Sequence, residues 1–150
     1  MLVTDTSFTI ERSIEIHVGR QQLWDLLEDE DRVFDLRPGL VEHEVISTHE
    51  AGGHDCVQVY DRNGRRSVHN CRTIRHDPPG CLVGADSSDI GLATITMLLT
   101  EHNESTVLAI RNETTLQRGV NPLRRWAMRA GHDRGLRLSL RHIKFVAEHP

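Results

Sequence analysis

The stretch DCVQVYDRNGRRSVHNC at 55–71 alternates in residue character on both sides of an Asn-Gly pair, the pattern of a two-stranded antiparallel hairpin. Asn63 and Gly64 tolerate the positive φ that both central positions of a type I′ turn require. Placing the turn fixes the register: Asp61 lies opposite Arg66, Tyr60 opposite Ser67, Gln58 opposite His69, Cys56 opposite Cys71 and Asp55 opposite Arg72. Two of these pairs, Asp61 with Arg66 and Asp55 with Arg72, are oppositely charged and share a face, which assigns that face to solvent. The other face carries Cys56, Gln58, Tyr60, Ser67, His69, Cys71 and Thr73, polar but uncharged, a composition suited to the wall of a partly desolvated pocket. Val57, Val59 and Val68 share the charged face and argue the other way.

The rest of the chain supplies partners for this hairpin. FTIERSIEIHV (8–18) alternates with a period of two, with Arg12 interrupting the apolar row Phe8, Ile10, Ile14, Ile16. Arg12 is therefore either a cation reaching solvent along its stem or a buried one awaiting an anionic ligand. Leu23, Trp24 and Leu27, then Val33, Phe34 and Leu36, fall at helical spacings and predict two short helices ending at Pro38-Gly39. LVEHEVISTHE (40–50) and CLVGADSS (81–88) read as strands. A two-residue loop at Asn103-Glu104 pairs Leu99 with Leu108, Met97 with Ile110 and Ile95 with Asn112, giving one apolar face and one bearing Thr94, Thr96, Arg111 and Glu113. Asn121 can cap a helix that starts at Pro122, where the missing N–H costs nothing, and that runs to about Glu148. Its apolar stripe is Met128, Leu136, Leu140, Ile143 and Ala147, with His132 in the one gap. Its early turns, with Arg125, Arg129 and Trp126, are placed at a cavity mouth; Arg124, Arg134, Arg137 and Arg141 form a solvated face.

A chain of 150 residues builds one core, so 1–150 is read as a single domain. With a formal net charge of -4 and no basic block interleaved with aromatics, nucleic acid is not expected as a partner. No apolar run approaches a membrane span, and MLVTDTSF lacks the basic and apolar regions of a secretory signal, so membrane insertion is not expected and a cytoplasmic location is. The three cysteines lack CxxC spacing, and Cys56 and Cys71 fall at a hydrogen-bonded pair that favours two reduced neighbours over a bridge. The ten histidines, among them His43, His49, His54, His76 and His102, show no helical i, i+4 pair and no HExxH pattern; neither a metal site nor a cofactor is expected. Oligomeric state is open, a homodimer included.

One strand, two short helices, six strands and a long terminal helix, with IERSIEIHVGRQQLWDLLEDED at 10–31, PGLVEHEVI at 38–46, DPPG at 77–80 and ESTVLAIRNET at 104–114, resemble the START-like helix-grip superfamily (SRPBCC). That group includes polyketide cyclases, plant pathogenesis-related proteins of the birch-allergen type and lipid-transfer domains. The resemblance implies an α+β fold: a curved seven-stranded antiparallel sheet around the C-terminal helix, two short helices after strand 1, and an elongated cavity for an apolar or amphipathic small molecule. The matched segments are framework, so they carry the fold and not the chemistry.

The expected ligand-binding residues are Cys56, Gln58, Tyr60, Ser67, His69, Cys71, Met97, Asn112, Trp126 and Met128, with Trp126 and Met128 closing one end of the cavity. His69 is the candidate general base, since imidazole titrates near neutrality, and Tyr60 could orient a carbonyl. The plainer alternatives are a wall histidine bonded to Gln58 and a rim tyrosine. Two functions follow: a binding protein for a lipid-like or polyketide-like molecule, or a polyketide aromatase/cyclase that folds a poly-β-keto chain and assists aldol closure and dehydration. Whether the chain is an enzyme is left open at this point.

Overall fold

In the computed structural model, residues 7–117 and 119–150 are described; residues 1–6, part of the stretch read above for a secretory signal, lie outside them. The chain forms β1 (Ser7–Ile16), α1 (Arg20–Glu28), a 3₁₀ turn (Glu30–Arg32) running into α2 (Val33–Leu36), β2 (Leu40–Thr48), β3 (His54–Arg62), β4 (Arg65–Asp77), β5 (Cys81–Ser88), β6 (Gly91–His102), β7 (Ser105–Leu116) and α3 (Pro122–Glu148). All seven strands make one antiparallel sheet in the order β1-β7-β6-β5-β4-β3-β2. This is the helix-grip layout.

Both hairpin registers agree with the count from the turns. Asn63 and Gly64 have φ of 58° and 80°, and Cys56 faces Cys71, Gln58 His69, and Tyr60 Ser67. In the second hairpin Leu99 faces Leu108, Met97 Ile110, and Ile95 Asn112. The wet face of the first is charged as expected, but its ion pairs differ. Asp55 does bind Arg72, at 3.0 Å, whereas Arg66 reaches past Asp61 to Glu42 on β2 at 3.2 Å, because Asp61 accepts the Gly64 N–H that closes the turn.

Helix α3 begins as the sequence dictates: the Asn121 side chain accepts from the Arg124 N–H at 2.8 Å, with Pro122 following the cap. Its second half is dry. Leu140, Ile143 and Ala147 pack with Ile16, Leu23, Trp24, Leu36, Leu99, Leu108 and Ile110 into the main core. Nearer the helix start, Met128 and Leu136 flank a smaller cluster of Phe8, Ile10 and Leu116.

Arg12 resolves to neither alternative offered above. It faces the helix from β1 and makes a two-point bond to Asp133, at 2.7 and 2.9 Å, so its anion comes from the chain itself. The hydrogen bond from Arg12 holds the Asp133 carboxyl below its ordinary range. No described helix is long and apolar enough to cross a membrane.

Candidate functional site

The period of two along β3 puts His54, Cys56, Gln58 and Tyr60 on the concave face, and the register of β4 adds Ser67, His69 and Cys71 beside them. Together they form a polar strip rather than a dry wall. Gln58 is its anchor, only 6 % exposed and bonded at both ends: its carboxamide donates to His43 Nδ1 (3.2 Å) and accepts from the Tyr60 hydroxyl (3.1 Å) and the Cys71 thiol (3.9 Å). Burial pushes the Tyr60 phenol above its ordinary value, so at neutral pH it keeps the proton it donates.

Cys56 and Cys71 are free thiols, as expected of this pairing. The neighbouring Cys71 holds the Cys56 thiol below its ordinary value against the effect of burial, and the neighbouring Cys56, with burial, pushes the Cys71 thiol above it.

His69 is not bonded to Gln58. Its Nδ1 donates to Asp86 on β5, at 2.8 and 3.0 Å, which leaves Nε2 as the acceptor facing the Ser67 hydroxyl at 3.1 Å. The ring stands edge-on to Tyr60, centroids 5.3 Å apart, and the Arg62 guanidinium lies 4.7 Å over the other ring contact of Tyr60, its aromatic face. A carboxylate bonded in this way fixes the tautomer and the orientation of the imidazole.

These groups open onto a pocket of about 170 Å³ between the tips of β3–β4, the β5–β6 turn, β7 and the first half of α3. Tyr60, His69, Asp86, Asn112, Thr114 and His132 are polar members of its lining, and Ile90, Leu92 and Ala93, at the β5–β6 turn and the start of β6, are apolar ones. Thr114 donates to Asn112 Oδ1 at 2.6 Å, which leaves the Asn112 amide N–H groups as donors. His132 donates Nδ1–H to the Met128 carbonyl at 2.8 Å, which leaves Nε2 as an acceptor. Gly91 sits where a side chain does not fit: at φ +146°, a Cβ would stand 2.1 Å from the Thr115 carbonyl oxygen.

Of the residues expected at the ligand, Tyr60, His69 and Asn112 line this pocket. Cys56, Gln58, Ser67 and Cys71 stand behind or beside them on the same face. Met97 and Met128 do not reach the pocket; each packs against an apolar cluster. Trp126 does not close the cavity. It is 68 % exposed, because α3 turns that edge outward before its buried half begins. The lining also carries charge where a polar but uncharged wall is expected, and Asp86, Arg62, Thr114 and His132 enter it from four different elements.

No protein-family model and no curated protein sequence matches the chain. Solved structures do. The Zhui aromatase/cyclase from Streptomyces sp. R1128 superposes with a TM-score of 0.83 at 16% identity, covering 95% of this chain and 94% of that one. The di-domain aromatase/cyclase StfQ of the steffimycin biosynthetic pathway gives 0.81 at 15% identity, over 96% of this chain and 52% of its own. Ara h 8.0201 gives 0.71 at 10% identity, over 94% and 97%. At these identities the likeness is one of fold, and the chain has the helix-grip fold.

Proposed function

We propose that the protein binds an amphipathic small molecule in the pocket between the sheet and α3, its oxygen-bearing end seated among Tyr60, His69, Asn112 and His132. The observation that carries this reading is the convergence on one pocket of hydrogen-bonding groups from β3, β4, β5, β7 and α3 with the apolar residues Ile90, Leu92 and Ala93 of the β5–β6 turn and the start of β6. At about 170 Å³ it is smaller than the ~300–1,000 Å³ of sites that enclose a whole ligand, so it suits the polar end of a molecule whose remainder lies across Ile90 and Leu92. Three free cysteines and the lack of a membrane-spanning helix among the described residues support a carrier working in a reducing, aqueous compartment.

One observation favours a second reading, a polyketide aromatase/cyclase. The Asp86–His69 pair gives the pocket wall an imidazole of fixed tautomer, able to take a proton from a carbon acid and return it to a departing hydroxyl. Titration of His69→Ala and Tyr60→Phe with a poly-β-keto mimic, alongside a ring-closure assay, separates the two. A binding protein loses affinity by a hydrogen bond's worth, about 0.5–1.5 kcal/mol, and shows no turnover in any form. A cyclase keeps its affinity and slows by about 10²–10⁴-fold in His69→Ala. Unchanged affinity in both variants, with no turnover in the parent, overturns both.

A further inference from the structure

At the far end of the same polar strip, three residues that are distant in sequence converge. Glu30 comes from the 3₁₀ turn, His43 from β2 and His54 from the start of β3, and their ligand atoms all lie within 4.8 Å of one another. His43 Nε2 stands 2.5 Å from one Glu30 oxygen and His54 Nδ1 3.6 Å from the other, with the two rings edge to face at 6.2 Å. The His43 side chain is 8 % exposed and held from behind by Gln58.

We propose that Glu30, His43 and His54 form a three-ligand site for a divalent transition metal of the zinc type. Two imidazoles and one carboxylate suit borderline ions such as Zn²⁺ or Co²⁺, whereas Ca²⁺ and Mg²⁺ require oxygen sets that this cluster lacks. Ligands about 2.0–2.2 Å from a tetrahedral ion stand about 3.3 Å apart. His54 Nδ1 stands 3.6 Å from one Glu30 oxygen, near this spacing, and His43 Nε2 only 2.5 Å from the other, so Glu30 must draw back and turn to present a single oxygen between the two rings. Glu30 is the member free to withdraw, because its side chain is half exposed. A fourth position toward solvent is then left for water.

Coordination has a consequence inside the strip. To present the Nε2 lone pair, His43 must carry its proton on Nδ1, so Gln58, which now donates to that atom, must turn its carboxamide and accept through Oε1. The Tyr60 hydroxyl, which now donates to Oε1, must then reverse its role. A bound ion is thereby communicated through two hydrogen bonds to a residue of the pocket.

The test is a Co²⁺ titration of the full, ligand-free chain, read by visible d–d absorption and calorimetry. The expected result is one equivalent with the intense bands of a four-coordinate ion, lost in E30Q and H54Q and kept in H49Q and H102Q, whose histidines pair with carboxylates elsewhere. H43Q removes a mostly buried group, so the half-exposed Glu30 and His54 carry the decision, with thermal melts confirming folded variants. Gln58→Leu should weaken the ion by about 10–100-fold, as loss of an orienting partner does. Equal binding by E30Q, H54Q and the parent, or only weak bands of scattered six-coordinate sites, overturns the proposal.

Discussion

The β3–β4 and β6–β7 hairpins are built alike: each turns over two residues around an Asn of positive φ, and each keeps a strict period of two. Their concave faces are opposite in kind. Leu99 and Leu108 of the second are 3 % and 0 % exposed under α3, whereas the first presents a connected polar strip. The cause is in what covers them. The C-terminal half of α3 carries Leu140, Ile143 and Ala147 and seals β6–β7, while its N-terminal half is largely exposed and leaves the tip of β3–β4 open over the pocket. One helix thus grips at one end and gapes at the other, and local strand geometry alone decides neither.

The largest expected contrast is in packing. Leu108→Ala should cost about 2–5 kcal/mol in a denaturant titration, because the dry half cannot refill the space. A loss under about 1 kcal/mol would mean that the two halves are equally loose.

Next comes Gln58→Ala, which strands the Tyr60 hydroxyl and His43 in a partly buried site. A loss of about 1–3 kcal/mol is expected, with Ser67→Ala, at a half-buried hydroxyl, costing less. Reversal of that order would show that the strip is held from β4 rather than from Gln58.

The smallest contrast is an acid one, at the link between sheet and helix. Because the native Asp133 pKa is lowered, its bond to Arg12 stabilises the fold above the unfolded carboxylate value and is lost as pH falls through the native one. Thermal melts of Asp133→Asn should therefore fall below the parent near neutral pH, and the gap should close in acid. A gap independent of pH would assign the effect of Asp133 to packing.

The strands, the two hairpin registers and the terminal helix were legible because each rests on local rules: a turn pair, a period of two, a cap with proline behind it. The site was legible only on the strands counted outward from a turn. Asp86 shows why. Counting back from the DPPG turn puts it opposite Arg72, on the convex face, but a bulge between Thr73 and Arg75 shifts the register and seats it opposite Cys71, within reach of His69. The cluster of Glu30, His43 and His54 was hidden for a related reason, since β2 is itself bulged twice against β3 and the 3₁₀ turn that brings Glu30 is set by tertiary packing. Trp126 misled because aromatic character on a helix does not state which edge the sheet will reach.

The position of β1 also governs how the molecule is made. It pairs along its whole length with β7, from Ser7 with Thr115 to Ile16 with Thr106, and Arg12 joins it to Asp133. On a ribosome adding about 5–20 residues per second, these partners emerge roughly 5–20 s after β1 does. The meander from β2 to β6 needs only neighbours in sequence and can pair during that interval. Phe8, Ile10 and Ile16 meanwhile have no ladder to join, so β1, synthesised before the other six strands described, is the last of them to be placed. High contact order is thus concentrated in one strand and one helix, and nascent chains arrested before β7 should present that apolar row to chaperones.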